Sequence, residues 1–167
     1  MSRRIEDLHP VIQNKAIEVK RRAKEELDID INIYFTNRTV EEQDGIYAQG
    51  RTKPGPKVTN APGGYSFHNY GLAFDFGIIK EGTTQIDWDI KCDVDHDDIP
   101  DYVEVGKLGE WLGLQWGGRF TSLKGDLGHL QLDFGFDAYQ IKAFYDLGGM
   151  ERVNQEIQKK IEKGVWV

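Results

Sequence analysis

Cysteine is nearly missing from this chain. Cys92 is the one thiol in 167 residues, which excludes an internal disulfide framework and any zinc site built from several cysteines. Basic charge is also in short supply, with 21 Lys and Arg against 28 Asp and Glu and a formal net charge of −7. No nucleic-acid partner is expected, because phosphate binding is normally written as a basic patch or stripe. An anionic membrane surface gains no electrostatic hold either. No apolar run approaches the roughly 20 residues that cross a bilayer, so no membrane insertion is expected. The opening Met1-Ser2-Arg3-Arg4-Ile5-Glu6-Asp7 puts charges where a secretory leader needs an apolar core. The expectation is synthesis in the cytoplasm without a signal peptide, with any work outside the cell waiting on another release route. Repeats and low-complexity tracts are absent. What is present, 39% hydrophobic residues with 8 Phe, 7 Tyr and 4 Trp, is enough for one core in a chain of this length, and a monomer is expected.

Along the chain, residues 10–27 carry Ile12, Ala16, Val19, Ala23 and Leu27 at helical steps behind Pro10. Residues 29–35 alternate Ile29, Ile31, Ile33 and Phe35 with polar neighbours, the period of a half-buried strand. Thr39 and Glu42 form a capping-box signal for a helix stopping near Gly50. Residues 51–65 are rich in Gly, Pro, Thr and Asn and read as a long loop with a brief strand at Val58. Further strands are expected at 72–79, 114–116 and 129–134, with a helix carrying Val103, Leu108, Trp111 and Leu112 between them. Residues 138–163 read as helical, broken near Gly148-Gly149. This order predicts an α+β fold, a small mainly antiparallel sheet flanked by helices in a single domain.

Two stretches carry candidate chemistry. Asp75 interrupts an otherwise apolar strand between Phe74 and Phe76, and an ionised carboxylate there needs a cation or metal as partner. Ala73 and Gly77 share its face and leave room beside it, and His68 precedes the strand. In the second stretch His129, Gln131 and Asp133 share one strand face, with Asp126 in the adjoining loop. If these strands are neighbours, His68, Asp75 and His129 can converge as two imidazoles and a carboxylate with an open fourth position, a donor set typical of catalytic zinc. Asp126 could then take a proton from water and pass it to a leaving amine. Against this stands the plain alternative of two hydrogen-bonded structural histidines. From these residues alone the two readings stand level.

A separate signal runs through residues 93–104. Asp93, Asp95, Asp97, Asp101 and Glu104 fall at the oxygen-ligand spacing of an EF-hand loop, with Ile99 placed to offer a backbone carbonyl. The departure is Asp98, where that loop wants glycine. Calcium is one reading; the other is a solvated acidic loop that caps the following helix through its dipole. Cys92 beside it reads as a small core residue.

Ser66-x-His68-x-x-Gly71-x-Ala73-x-Asp75, followed by Asp126-x-x-His129-x-Gln131, resembles the zinc peptidases of the M15 (VanY-like, D-Ala-D-Ala carboxypeptidase) family. Within it the likeness is to the L-alanyl-D-glutamate endopeptidase branch, which includes phage endolysins and a Bacillus cell-wall hydrolase. Residues 47–52, 58–61, 63–66 and 116–120 support the likeness, which spans roughly residues 10–135. It implies a hedgehog/D-Ala-D-Ala-peptidase-like fold, with a zinc peptidase catalytic domain at 1–137 and a C-terminal helical extension at 138–167 packed on it or trailing from it. It implies that His68, Asp75 and His129 hold one zinc ion and that Asp126 is the catalytic acidic residue, often Glu in the family and often Asp in this branch. It places Arg51 toward a substrate carboxylate or developing oxyanion, and makes Ser66 a substrate or loop contact. Gln43 and Tyr47, four apart on one helix, are weaker candidates for the cleft wall. The implied activity is cleavage of the L-Ala–D-Glu bond of peptidoglycan stem peptides, with release by phage or prophage lysis. Alternatives are a D-Ala-D-Ala carboxypeptidase or dipeptidase, or a metal-stabilised wall-binding module that does not hydrolyse.

Overall fold

His9 opens the first helix by accepting the Val11 N–H on its ring Nδ1 at 3.3 Å, and Pro10 occupies a first-turn position that needs no amide hydrogen. A computed structural model describes residues 1–121 and 125–164. Helix α1 (Pro10–Leu27) buries Ile12, Ala16, Val19 and Ala23 completely and ends at Asp28 in the left-handed conformation. Strand β1 (Ile31–Phe35) follows, then α2 (Val40–Tyr47), where the Thr39–Glu42 capping box forms as expected. Next come β2 (Ala73–Ile79), β3 (Ile86–Asp87), α3 (Asp101–Trp111), β4 (Gln115–Trp116) and β5 (His129–Gln131). Helix α4 (Ala138–Glu162) closes the described chain and kinks at Gly148 and Gly149.

The sheet runs β1-β2-β5-β4 with every pair antiparallel, and β3 adds to the far end of β2. Phe74, Phe76, Ile78 and Leu130 are fully buried, and one cluster joins them to Ile12, Val19, Ile141, Val153 and Ile157. The expected α+β architecture is therefore the one that forms, with α1, α3 and α4 all packing into the same core.

Two glycines let α3 lie close on the sheet. A Cβ on Gly106 would stand 2.1 Å from the Trp116 indole, and one on Gly109 would stand 2.4 Å from Leu130. Gly106→Ala is expected to cost about 1–3 kcal/mol through overpacking. Gly45→Ala in α2, where nothing lies within 4 Å, should leave stability unchanged or improve it. Thermal melts of the two variants check the contrast.

Several expectations need correction. No strand forms at Val58 among the described residues; it is 45% exposed in an irregular stretch, without a neighbouring strand to pair with. β5 stops at Gln131 rather than reaching Phe134, because the Asp133 carboxylate accepts the Gly135 N–H at 2.8 Å and Phe134 turns to a φ of 53°. Trp111, among the apolar residues of its helix, lies at the surface, 71% exposed, with the Arg22 guanidinium 4.1 Å from its ring. β3 carries too short an alternation to be read from sequence.

Candidate metal centre

Three backbone devices bring the chemistry together. Antiparallel register sets Asp75 on β2 directly opposite His129 on β5, with Phe35 on its other side. A short 3₁₀ turn over residues 67–70 carries His68 beneath them. That turn is held by Asn69, whose Oδ1 accepts the Gly64 N–H at 3.0 Å and whose Nδ2 donates to Arg38 O at 2.8 Å. Gly71 ends the turn at φ 66°, where an added Cβ would meet Asp7 O at 2.9 Å. Glycine is the residue that fits there on both counts.

His68 Nε2, Asp75 Oδ1 and His129 Nδ1 form a near-equilateral triangle with sides of 3.2, 3.2 and 3.0 Å. All three residues are buried. Bonds of about 2.0–2.1 Å to a tetrahedral ion separate neighbouring ligand atoms by about 3.3 Å, so one face of such a tetrahedron has nearly these dimensions. The outer nitrogens fix the proton positions. His68 Nδ1 lies 2.9 Å from Thr36 O, a carbonyl that can only accept, so Nδ1 carries the hydrogen and Nε2 is bare. His129 Nε2 lies 2.9 Å from Gln131 Oε1, which in this orientation leaves Nδ1 bare. Two lone pairs and a carboxylate oxygen aimed at one point repel one another unless a cation or proton lies between them. This donor set fits a divalent ion, and the outer hydrogen bonds are those that metal-binding histidines use.

Burial alone would raise the Asp75 pKa; without a metal, protons on the His68 and His129 nitrogens that face it outweigh burial and hold the carboxyl well below its ordinary range, and a bound cation would take the place of those protons. Arg38 stands on the same side, with Nη2 3.8 Å from Asp75 Oδ2. Burial lowers its pKa and the Asp75 charge opposes that shift, leaving a guanidinium that stays charged. Its Nε is buried without a partner.

The triad forms the floor of a cleft of about 540 Å³, whose walls include Tyr34, Arg38, Asn60, Ser66, Phe120 and Asp126. Asp126 is open to the cleft solvent. Even so, the surrounding walls strip water from its carboxyl and, with the Asp75 charge, raise its pKa, while His129, His68 and Arg38 pull the other way. Its loop is tied down where Asp126 N–H donates to Gly117 O at 2.9 Å.

Residues 59–132 match the family model described as D-alanyl-D-alanine carboxypeptidase, of peptidase family M15. The peptidoglycan L-alanyl-D-glutamate endopeptidase CwlK of Bacillus subtilis (strain 168) is 41% identical over 126 residues, covering 75% of this chain and 74% of CwlK. The chain belongs to peptidase family M15. Among solved structures, the L-Ala D-Glu endopeptidase ChiX of Serratia marcescens aligns with a TM-score of 0.48 and 21% identity, over 78% of this chain and 84% of that one.

In this M15 chain the arginine beside the triad is Arg38, not Arg51. Arg51 does not line the cleft beside the triad: its guanidinium lies 3.8 Å from the Tyr47 ring, donates to Tyr47 O at 2.7 Å, and reaches Asn60 Oδ1 at 3.4 Å. Gln43 does not face the cleft either. It is fully buried, accepts from Arg38 Nη1 at 2.8 Å, and donates to Ala61 O at 2.7 Å. Gln43 thus ties Arg38 to the loop that forms one cleft wall. Tyr47 is taken up by Arg51, whereas Ser66 does line the cleft. Arg38 was the residue sequence reasoning missed. Its signal was modest: a lone cation between the end of β1 and the N-cap Thr39, at the sheet end where Asp75 needs a counter-charge.

The acidic loop folds on itself. Asp93 accepts the Asp97 and Asp98 N–H groups at 3.1 and 3.0 Å, and Asp101 accepts the Val94 N–H. Asp98 adopts φ 69°, the left-handed conformation that a glycine would take at that position. Oxygens of Asp93, Asp95 and Asp101 approach one another within 4.8 Å, as do those of Asp95, Asp97 and Glu104. Asp95 Oδ1 and Glu104 Oε2 are buried without a partner. Burial, then repulsion from Asp95 and Asp97, pushes Glu104 up to about 7. The Ile99 side chain is 41% exposed, and its N–H donates to Asp97 Oδ1 at 2.8 Å.

Proposed function

We propose that this chain is a zinc-dependent endopeptidase that cuts the L-Ala–D-Glu bond of peptidoglycan stem peptides, acting on the cell wall as a monomer. The observation that carries the reading is the buried His68–Asp75–His129 triangle, with one face toward the cleft. Two nitrogens and one oxygen at tetrahedral spacing suit zinc better than the oxygen-seeking magnesium or calcium. CwlK, 41% identical, is named for the same bond. Zinc held there supplies Lewis acidity toward a peptide carbonyl and lowers the pKa of water to about 7.

This chain's own residues supply the remainder. The Arg38 guanidinium, fixed by Gln43, binds the negative charge that develops on the carbonyl oxygen or a carboxylate of the stem peptide. An Asp126 carboxylate oxygen takes the proton of the attacking water and returns it to the leaving amine nitrogen, a task that suits a carboxyl whose pKa its surroundings raise. Ser66, together with Asn60 steadied by Arg51, hydrogen-bonds the peptide backbone along the wall. Residues 1–137 form the catalytic part. The 138–167 extension packs on it through Ile141, Val153 and Ile157, with residues 165–167 outside those described. Mass spectrometry of digested muropeptides tests the reading: a new L-Ala terminus on the glycan side supports it, and release of terminal D-Ala assigns the carboxypeptidase activity instead.

The 93–104 loop is read as a calcium site that stabilises the fold. Without a cation, the raised Glu104 pKa favours the protonated carboxyl in the folded state, so its contribution is complete below about 4.5 and is lost as pH rises through about 7. Zinc-restored, calcium-free protein should therefore lose thermal stability across that window, and added calcium should restore it at pH 7 and above. A melting temperature that ignores calcium removes the site.

A further inference from the structure

His129 differs from His68 in what holds its outer nitrogen. His68 leans on a backbone carbonyl, which can only accept. His129 leans on the side-chain amide of Gln131. An amide offers oxygen or nitrogen with nearly the same shape, so on its own Gln131 would accept from Nε2 or donate to it with equal ease. The two choices have opposite consequences. With the amide oxygen toward the ring, His129 is protonated on Nε2 and Nδ1 is free for the ion. With the amide nitrogen toward the ring, the proton moves to Nδ1, the atom 3.0 Å from Asp75 Oδ1, and blocks coordination.

The chain of contacts beyond Gln131 resolves the choice. Antiparallel register places Gln115 on β4 opposite Gln131 on β5. Gln131 Nε2 donates to Gln115 Oε1 at 3.0 Å, and Gln115 Nε2 donates to Asp133 Oδ2. The other Asp133 oxygen accepts the Gly135 N–H at 2.8 Å, which pins the carboxylate in place. An ionised carboxylate has no hydrogen to give. Gln115 must therefore present its nitrogen to Asp133 and its oxygen to Gln131, which turns the Gln131 oxygen toward His129. We infer that Asp133, acting through Gln115 and Gln131, sets the proton position of His129 and so readies its Nδ1 for the metal. All three are positioning residues, and none of them needs to touch substrate. The alternating face that brings His129 and Gln131 together runs on to Asp133, where the turn that ends β5 begins.

This inference rests on the zinc reading of the triad but not on the bond cleaved. The test is zinc titration of the full chain against a chelator of known affinity. Asp133→Asn keeps the shape but can donate, so it permits the reversed amide chain; zinc affinity should fall by about tenfold, the lower end of what partners of metal-binding histidines contribute. Adding Gln115→Glu to that variant puts an acceptor-only carboxylate directly beside Gln131 Nε2, and affinity should return to within about twofold of wild type. The inference is overturned if Asp133→Asn binds zinc as tightly as wild type, or if the double variant stays as weak as the single one. A wild-type chain that takes up no zinc overturns the premise itself, a distinct result in the same titration.

Discussion

Asp75→Asn should leave a folded protein whose hold on its metal, and with it cell-wall digestion, is weakened by orders of magnitude. Asp75 is buried at the centre of the sheet and supplies the single negative charge among the three ligand atoms. Zinc bound to protein ligands is worth about 10–16 kcal/mol. Losing one of three ligands removes roughly a third of that, about 3–5 kcal/mol, or about 10²–10⁴ in affinity. Asparagine is isosteric but leaves the Arg38 guanidinium without its counter-charge, so the metal-free variant should stay folded yet melt below metal-free wild type. Metal analysis, melting curves and wall turbidity on the same preparation check all three outcomes. Intact zinc binding in this variant would remove Asp75 from the ligand set.

The second large effect separates chemistry from metal binding. Asp126→Ala is expected to lower the hydrolysis rate by about 10²–10⁴, and Arg38→Ala by about 10²–10³, with zinc stoichiometry unchanged in both. Arg51→Ala should be far milder, within about fivefold, because its guanidinium braces Tyr47 and Asn60 away from the triad. Steady-state rates on defined muropeptides, paired with metal content, distinguish the three. An Arg51 variant as damaged as the Arg38 variant would return the substrate-facing role to Arg51.

Much of the site was legible in the chain because it lies on regular structure. Period-two alternation places His129 and Gln131 on one face, and a carboxylate between two phenylalanines announces that Asp75 needs a partner. The histidine from the 3₁₀ turn could be guessed only because His68 stands so near that strand. Legibility failed where the decisive contact is long-range and irregular. Arg38 reaches Asp75 from a loop, and Arg51 lay in a more conspicuous Gly/Pro-rich stretch. Gln43 and Tyr47 do share a helical face, as their spacing says, but periodicity cannot tell a face turned to a cleft from one bonded into the wall behind it. The α3 contact through Gly106 and Gly109 was equally hidden, since a missing side chain has no hydrophobic period.

X-ray absorption at the zinc edge tests the central claim most directly. One zinc per chain is predicted, with two imidazole nitrogens and one carboxylate oxygen at about 2.0–2.2 Å and a light-atom solvent ligand completing the shell. A protein that binds no zinc, or a spectrum showing sulfur from Cys92 or no imidazole at all, would contradict it.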